Sequence, residues 1–292
     1  MKHLTIKSPA KINLFLKVIG KRSDGYHNII TLFERISLCD EITLSETDDA
    51  QIHLSCPYFG VPENEDNLAY KAALLLKEKI KTRQGVKIKI KKNIPVAAGL
   101  GGGSSNAAAV LLGLNRLWGL NLSRRSLLSY ARKIGSDVPF FIYDCCYAIG
   151  TKRGDSIRAV DIKTRLWHVV VVPKSEIRAG DVYYRLSKKL KGTMNILTNP
   201  SYNVSILIRY LKSNDILSLS RVLNNDLEQT VLKIKPSLLR LKQQLVSLKA
   251  TTAMVSGSGP AVFCITTTRD KACYIKKILA KRFSRVFIVS TF

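Results

Sequence analysis

The stretch GLGGGSSNAAAVLLGL, residues 99–114, constrains the fold of this chain more than any other feature of the sequence. Four glycines, two serines and an asparagine stand directly before an alanine-rich apolar run. Residues 86–90 alternate Val or Ile with Lys, which is the period of a β-strand, and the apolar run predicts a helix over about 106–118. The sequence therefore predicts a glycine loop between a strand and a helix.

Such a loop is suited to binding phosphate. Free backbone N–H groups and the positive end of the helix dipole converge where a helix begins. Glycines let an anion approach the main chain closely, and Ser104 and Ser105 add hydroxyl donors. The alternative, close packing of glycine and alanine, explains the alanines but not three consecutive glycines followed by two hydroxyls. We therefore favour a phosphate-binding loop.

The spacing of the loop differs from the commonest phosphate-binding motifs. The chain contains no G-x-x-x-x-G-K-[ST] sequence, and Ser104 stands where the G-x-G-x-x-G motif requires its last glycine. The H-R-D and D-F-G sequences of protein kinases are missing as well. The loop therefore belongs to another class of phosphate-binding protein.

A membrane span is the third interpretation of this region, because residues 93–115 carry no charge. A spanning helix needs about 20 mostly apolar residues. The centre of this run, residues 101–106, is glycine, serine and asparagine, and the apolar part after it is too short. N-terminal lysines interrupt any signal-peptide pattern, and the six cysteines form no C-x-x-C pair. We expect a reduced, cytoplasmic protein without a membrane partner.

The net charge is the unusual part of the composition, because 47 Lys and Arg stand against 21 Asp and Glu, giving +26. Such an excess favours anionic partners, whether nucleotides, nucleic acid or a membrane surface. The basic residues are spread along the chain, so the charge alone selects no function. An RNA-binding protein is the alternative from a different class, although the basic residues are not interleaved with aromatics as in an RNA-recognition motif.

The remaining pattern predicts an α+β protein. Alternation over residues 10–18 predicts a strand that places Lys11 and Asn13 on one face, and Asp24-Gly25 is a hairpin signal. Other expected elements are strands at 26–38, 41–45, 51–55 and 167–172, helices at 67–81 and 123–134, and helices between 202 and 248 followed by two strands, a helix and a strand. Helices and strands in both halves indicate a boundary near residue 160.

The loop sequence PVAAGLGGGSSNAA, residues 95–108, resembles the phosphate-binding motif of the GHMP small-molecule kinases (galacto-, homoserine, mevalonate and phosphomevalonate kinases). Further stretches resemble one branch of that family, whose substrate is a cytidine-diphosphate-linked methylerythritol. They are SPAKINLFLKVIGKRSDGYHNI (8–29), GSDVPFFI (135–142), NNDLE (224–228) and MVSGSGPAVF (254–263). The matches occur in the expected order and span most of the chain.

The resemblance implies two domains: an N-terminal ribosomal-protein-like α/β domain over residues 1–160 that binds ATP, and a C-terminal ferredoxin-like α+β domain over 161–292. It also implies a kinase that transfers the ATP γ-phosphoryl group to the 2-hydroxyl of the cytidyl substrate, with Mg²⁺, in non-mevalonate isoprenoid synthesis. The expected partners are these small molecules, without a stable nucleic-acid partner, in a monomer or homodimer. Another GHMP kinase, such as one acting on mevalonate, is the alternative, and the SDGYH sequence argues against it.

The resemblance assigns catalytic roles to two residues. Asp137 matches the aspartate that takes the proton of the attacking hydroxyl, and Lys11 matches the lysine beside it. From the residues alone Asp137 is better explained as an N-cap, because Val138-Pro139 can start a helix, and the two roles are compatible. The turn at 257–259 either closes over the site or is a plain tight turn. The turn at 148–155 is longer than the family pattern.

Binding roles follow from the same matches. Tyr26 is expected to stack on the cytosine and His27 to hydrogen-bond it, with Tyr183 as the opposite stacking face and Asn13 as a further substrate contact. Asn67 matches the adenine pocket. The residues expected to hold the triphosphate are Pro95, Val96, Ala97, Ala98, Gly99, Leu100, Gly101, Gly102, Gly103, Ser104 and Ser105.

Overall fold

Two β-sheets organise the chain, and the computed structural model describes residues 2–190 and 200–292. The strands are β1 (His3–Lys21), β2 (His27–Thr47), β3 (Ile52–Ser55), β4 (Gly85–Lys91), β5 (Tyr147–Thr151), β6 (Ser156–Val160), β7 (Trp167–Val171), β8 (Asn224–Asn225), β9 (Thr252–Val255), β10 (Val262–Thr266) and β11 (Val286–Ser290). The helices are α1 (Leu68–Ile80), α2 (Gly102–Leu117), α3 (Arg124–Ile134), α4 (Val138–Ile142), α5 (Ala179–Leu190), α6 (Pro200–Lys212), α7 (Ile216–Val222), α8 (Glu228–Ile234), α9 (Ser237–Ser247) and α10 (Arg269–Leu279).

The first sheet has the strand order β3-β4-β2-β1-β8, with β5 and β6 attached to β2. β1 and β2 pair along almost their whole length, and the pair Lys21 and His27 closes the hairpin at the predicted Asp24-Gly25 turn. Helices α1 to α4 pack together beside this sheet. Apolar side chains of β2 and β4 meet the alanine-rich face of α2 in a continuous core, because alternation directs every second strand residue inward.

The second sheet is antiparallel, in the order β11-β7-β10-β9, and α9 and α10 pack against it. The α+β class is therefore confirmed. Strands β1 to β6, all in the first sheet, end at Val160, and the first strand of the second sheet, β7, begins at Trp167. The short strand β8 comes from the later half of the chain but pairs in parallel with β1. The domain boundary at residue 160 stays a prediction.

A buried polar cluster joins the two sheets. Glu34 in β2 and His168 in β7 are both fully buried, and His168 Nε2 lies 3.0 Å from Glu34 Oε1. Thr291 donates its hydroxyl to the same oxygen at 2.6 Å, and the Tyr147 hydroxyl lies 3.1 Å from Thr291 Oγ1. Glu34 Oε2 and His168 Nδ1 have no hydrogen-bond partner among the described residues. Hydrogen bonds therefore join the two sheets, in addition to apolar packing.

Several predicted elements have different bounds: the strand expected at 10–18, for example, is β1 and runs from His3 to Lys21. Helix α2 begins at Gly102, four residues before the expected Asn106, so the last two of the consecutive glycines lie in its first turn. β2 runs without interruption from His27 to Thr47, where two strands were expected. The pairing of β1 with β2 shifts its register between Pro9 and Ala10. This shift interrupts the alternation of side chains in β2, so the sequence pattern of β2 is that of two separate strands. None of the helices in the described ranges is long and apolar enough to cross a membrane.

Candidate active site

The glycine loop is built from residues with left-handed backbone conformations. Ala97, Gly99 and Gly101 have φ angles of 53°, 78° and 71°. A Cβ atom on Gly99 would lie 2.4 Å from the Ser256 carbonyl oxygen, and one on Gly101 would lie 2.9 Å from Lys11 Cγ. Glycine is required at these two positions both by the conformation and by the space. The loop brings its backbone against β1 on one side and against Ser256 on the other.

Hydrogen bonds fix the loop between the two halves of the chain. The Lys11 amide donates to the Leu100 carbonyl at 2.9 Å, and the Ser256 hydroxyl donates to the Gly99 carbonyl at 3.2 Å. The Ala261 amide donates to the Ala98 carbonyl at 3.1 Å. Because the loop is tied on both sides, the first turn of α2 has a fixed position relative to β1.

A cleft of about 330 Å³ opens over the start of α2. This volume is at the lower end of the range for small-molecule sites. Asn67 lies in the same wall, and its side chain caps α1 by accepting from the Ala69 amide at 2.9 Å, as predicted. The residues lining the cleft are 60–62, 66–68, Lys92, 95–104 and Asn106. The structure thus brings the glycine loop and Asn67 together.

The two serines after the glycines differ in position. Ser104 lines the cleft, where its hydroxyl can meet a ligand. Ser105 is 1% exposed, and its hydroxyl accepts from Ser8 at 2.7 Å, while Ser8 also contacts Asn106 Oδ1 at 2.8 Å. The structure therefore does not bring the Ser105 side chain to the cleft, because helix α2 begins early enough to turn it into the core.

Lys92 and Asp40 form a buried ion pair at the entry to the glycine loop. Asp40 is fully buried, and its second oxygen accepts from the amides of Asn93 and Ile94 at 2.8 Å each. These bonds anchor the segment that leads from β4 into the loop. The sequence pattern did not identify this pair, because its members are far apart in the chain and neither stands in a motif.

Lys11 and Asp137 form a second ion pair on the β1 side of the loop, with Lys11 Nζ 3.3 Å from Asp137 Oδ2. The Lys11 side chain is 6% exposed, while that of Asp137 is 32% exposed. Lys11 Nζ also donates to Asn13 Oδ1 at 2.7 Å, and Asn13 donates to Thr31 at 2.8 Å. The predicted face shared by Lys11 and Asn13 is confirmed. The strand holds the ammonium group still while the carboxylate stays open to a ligand.

Asp137 stands at the N-cap of α4, but its side chain makes no capping hydrogen bond within the described part of the chain. The N-cap interpretation is thus correct for the position and wrong for the side chain. Val138 and Pro139 occupy the first positions of the helix, as expected. The carboxylate is free of the helix and is directed at Lys11 instead.

The turn at 257–259 lies beside the Lys11–Asp137 pair. A Cβ atom on Gly257 would lie 3.1 Å from Asn13 Oδ1 and 3.6 Å from Lys11 Nζ. Asn225 holds this turn by donating to the carbonyls of Val255 and Gly257 at 2.9 and 2.8 Å. The turn therefore closes one side of the site, which was one of the two interpretations of its sequence. Asn225 is a supporting residue that the motif contained but sequence reasoning did not single out.

The predicted nucleoside-binding residues cluster at the β1–β2 hairpin and α5. His27 is buried, its ring stacks on that of Tyr183 at 5.0 Å between centroids, and its Nε2 lies 2.6 Å from the Ser187 hydroxyl. Burial, together with the charge of Lys21, lowers the pKa of His27. Tyr26 is 52% exposed. Tyr183 stacks on His27 in this structure, which differs from the expected arrangement of Tyr183 opposite Tyr26.

The two parts of the site are electrostatically connected. Burial raises the pKa of Tyr183 above its ordinary value, and the charge of Asp137 contributes in the same direction. Asp137 is thus close enough to affect the side chain that contacts His27. The glycine loop contacts Lys11, Lys11 pairs with Asp137, and Tyr183 stacks on His27 of the hairpin.

Comparison with known proteins defines the class first. Residues 67–145 match the N-terminal domain model of the GHMP kinases, and residues 207–285 match the C-terminal model. A homoserine kinase from Cytophaga hutchinsonii has the same fold, with a TM-score of 0.79 at 20% identity over 100% of this chain and 95% of that one. The fold is that of a GHMP kinase.

Nearer relatives define the family within that class. A 4-diphosphocytidyl-2-C-methyl-D-erythritol kinase from Geobacter metallireducens is 40% identical over 93% of this chain and 92% of that protein. The enzyme of the same name from Syntrophus aciditrophicus is 40% identical over 95% of each. A solved structure of a 4-(cytidine 5'-diphospho)-2C-methyl-D-erythritol kinase has a TM-score of 0.82 at 30% identity, covering 98% of both chains. The chain belongs to the 4-diphosphocytidyl-2-C-methyl-D-erythritol kinase family.

Proposed function

We propose that this protein transfers the γ-phosphoryl group of ATP to the 2-hydroxyl of 4-diphosphocytidyl-2-C-methyl-D-erythritol in the non-mevalonate isoprenoid pathway. The observation that carries the proposal is the partly open Asp137 carboxylate, 3.3 Å from Lys11 and beside the glycine loop. Membership of the family supplies the substrate class. Tyr26 and His27 at the hairpin supply groups suited to a nucleoside.

The glycine loop would hold the triphosphate. Backbone N–H groups at the start of α2 and the positive end of its dipole favour a polyanion, and the bare glycines let it approach. Ser104 lines the same cleft and adds a hydroxyl donor. Phosphoryl transfer depends chiefly on positioning and on neutralising charge, and the loop provides both.

Asp137 would act as the general base. Its carboxylate has lone pairs available for two reasons. The side chain makes no capping hydrogen bond among the described residues, and only one of its oxygens pairs with Lys11. Lys11, held by Asn13, would fix the carboxylate and polarise the attacking hydroxyl. A positioned base of this kind contributes roughly 10²–10⁴ in rate.

The donor set of the cleft fits Mg²⁺, which prefers oxygen ligands and usually keeps several waters and the substrate phosphates. The Ser104 hydroxyl lines the cleft and would hold the ion together with phosphate oxygens and waters. When bound, the ion would offset the negative charge of the phosphates. The roles of Lys11, Asn13 and Asp137 stated above concern the acceptor hydroxyl and do not depend on the ion.

The first experiment is an assay with ATP, Mg²⁺ and a panel of alcohols that contains the cytidyl substrate, mevalonate and homoserine. We expect phosphorylation of the cytidyl substrate alone. Preference for mevalonate or homoserine would contradict the proposal while leaving the kinase class intact.

A variant then tests the nucleoside side. Tyr26→Ala removes a stacking surface worth about 1–3 kcal/mol per base. We expect a higher KM for the cytidyl substrate and a nearly unchanged KM for ATP in steady-state kinetics. Equal losses for both substrates would show that Tyr26 does not contact the base.

A further inference from the structure

The side chain of Arg153 covers the ring of Tyr26. Its guanidinium carbon lies 4.9 Å from the ring centroid, within the range of a cation–π contact. Arg153 belongs to the tight turn between β5 and β6, in the stretch 148–155 whose length departs from the family pattern. Tyr26 is still 52% exposed, so its ring is held by the guanidinium and remains accessible to a ligand.

The guanidinium is itself held in place. Asp155 Oδ2 accepts from Arg153 Nε at 3.0 Å and from Nη2 at 2.7 Å, and the Asp155 side chain is only 10% exposed. The Arg132 carbonyl accepts from Arg153 Nη2 at 3.4 Å, while Arg132 Nε donates to the Asp155 carbonyl at 3.3 Å. Arg153 is 24% exposed and directed onto Tyr26 from a fixed base.

The turn that carries Arg153 is fixed to the strand that follows Tyr26. The Ile29 amide donates to the Lys152 carbonyl at 2.7 Å, and Gly154 adopts a φ of 91° that lets the turn pack on Ile29. The turn and the hairpin are therefore joined by a backbone hydrogen bond and by packing. These contacts hold the turn that carries Arg153 beside the hairpin that carries Tyr26.

A second arginine–aspartate pair holds the backbone of Tyr26. Arg22 Nη2 lies 2.9 Å from Asp24 Oδ2, and Asp24 Oδ1 accepts from the Tyr26 amide at 3.1 Å. Asp24 thus holds the backbone of Tyr26 while Arg153 holds its ring. An exposed tyrosine at a hairpin tip would otherwise lose side-chain freedom when a base stacks on it, at a cost in affinity.

We propose that Arg153 is a positioning residue for the cytidyl substrate: by stacking on Tyr26 it fixes the ring before the cytosine arrives. This inference rests on the proposed function and adds a residue that none of the motifs contains. Arg153 acts through Tyr26 and not through contact with the reacting groups. Its removal therefore affects binding of the nucleoside and leaves the transfer step unchanged.

The test measures binding and turnover separately. Arg153→Ala is expected to weaken binding of cytidine 5′-diphosphate, measured by calorimetry, roughly 3- to 10-fold, and to raise the KM for the cytidyl substrate equally. The kcat and the KM for ATP stay the same. Arg153→Lys keeps a cation but loses the fork that Asp155 holds, so it recovers only part of the affinity. A fall in kcat, or equal losses for both substrates, would overturn the proposal.

A double-mutant cycle distinguishes positioning from direct contact. If Arg153 acts through Tyr26, the variant Tyr26→Ala/Arg153→Ala binds cytidine 5′-diphosphate as weakly as Tyr26→Ala alone. If Arg153 contacts the ligand itself, the two losses add, and the positioning role is wrong. The cycle measures the coupling between Arg153 and Tyr26 in ligand binding, and a general effect on folding does not produce such a coupling.

Arg209→Ala is the matched control, because Arg209 stacks on Tyr210 at 5.3 Å in α6, outside the proposed site. We expect it to leave nucleotide binding and both KM values unchanged. A wild-type protein that does not phosphorylate the cytidyl substrate would contradict the proposed function. A wild type that does so, with an Arg153→Ala variant of unchanged affinity, would contradict this inference alone.

Discussion

Two lysine–aspartate pairs flank the glycine loop, and they differ in how completely the carboxylate is used. Asp40 is fully buried and receives Lys92 on one oxygen and two backbone amides on the other. Asp137 is 32% exposed on its side chain and meets Lys11 at 3.3 Å. The same two residue types therefore form a closed contact on one side of the loop and an open one on the other.

The difference separates a structural carboxylate from a reactive one. The hydrogen bonds and the ion pair of Asp40 hold the segment that enters the glycine loop, so no lone pair of this carboxylate is directed at a ligand. Asp137 lies beside a cleft and keeps acceptor capacity for an incoming hydroxyl. An ion pair near a phosphate loop is thus informative only when the remaining partners of its carboxylate are counted.

The largest expected effect is on turnover in Asp137→Asn. The Asp137 side chain makes no capping hydrogen bond within the described residues and is 32% exposed, so the melting temperature should hardly change. Asparagine does not accept the hydroxyl proton, and loss of a general base lowers the rate roughly 10²–10⁴-fold. Steady-state kinetics should show this fall in kcat with ATP binding retained. Near-normal turnover in the folded variant would remove Asp137 from the mechanism.

Asp40→Asn should have the opposite profile. It leaves the Lys92 ammonium buried beside a neutral group, and breaking a buried pair costs about 3–5 kcal/mol of the free energy of unfolding. Urea unfolding should show the loss, while kcat at a permissive temperature falls far less than in Asp137→Asn. Asp161→Asn, which removes an exposed pair with Lys163, is the control and should leave the unfolding midpoint unchanged. A stable but inactive Asp40→Asn variant would invalidate the comparison.

The two serines extend the comparison with a smaller effect. Ser105→Ala removes one of the two acceptors of the buried Ser8 hydroxyl and should lower the free energy of unfolding by about 1 kcal/mol, with an unchanged KM for ATP. Ser104→Ala should leave unfolding unchanged and raise the KM for ATP a few-fold, because Ser104 lines the cleft. Denaturation curves and kinetics on both variants provide the check. An increase in KM for ATP in Ser105→Ala alone would reverse the assignment.

The smallest expected effect is the pH dependence of His27. Burial lowers its pKa in the folded protein, so the unfolded chain takes up the proton first as the pH falls. The contribution of neutral His27 is therefore complete above the unfolded value of about 6.5 and is lost as the pH falls through the lowered folded pKa. The unfolding midpoint of the wild type should fall more between pH 7.5 and 5.5 than that of His27→Gln. Parallel curves would show that His27 does not titrate this way.

Local pattern was sufficient for most elements of the fold. The cap residue Asn67 and the alternation over 86–90 predicted α1 and β4 within about one residue. Local sequence pattern was insufficient where tertiary contacts override the helix propensity of the residues. Gly102 and Gly103 are poor helix formers, yet they form the first turn of α2 because Gly101 turns the chain into the helix and neighbouring elements fix it.

The motifs predicted the surroundings of Lys11 and the glycine loop, because a phosphate loop has a recognisable spacing. They did not predict the Asp40–Lys92 pair or the contact of Arg153 with Tyr26. Those contacts join segments more than 50 residues apart, and their residue types are ordinary for a basic surface or a strand end. The stacking of Tyr183 on His27 likewise depends on the packing of α5, which no local pattern specifies.

The buried cluster around Glu34 contains residues that are translated at very different times. Glu34 lies in the second strand, while its partners His168 and Thr291 are 134 and 257 residues further along the chain. During synthesis Glu34 therefore leaves the ribosome well before both partners, and water hydrates its carboxylate until they arrive. The buried cluster can therefore be completed only after residue 291 has left the ribosome, whatever part of the first sheet has formed by then.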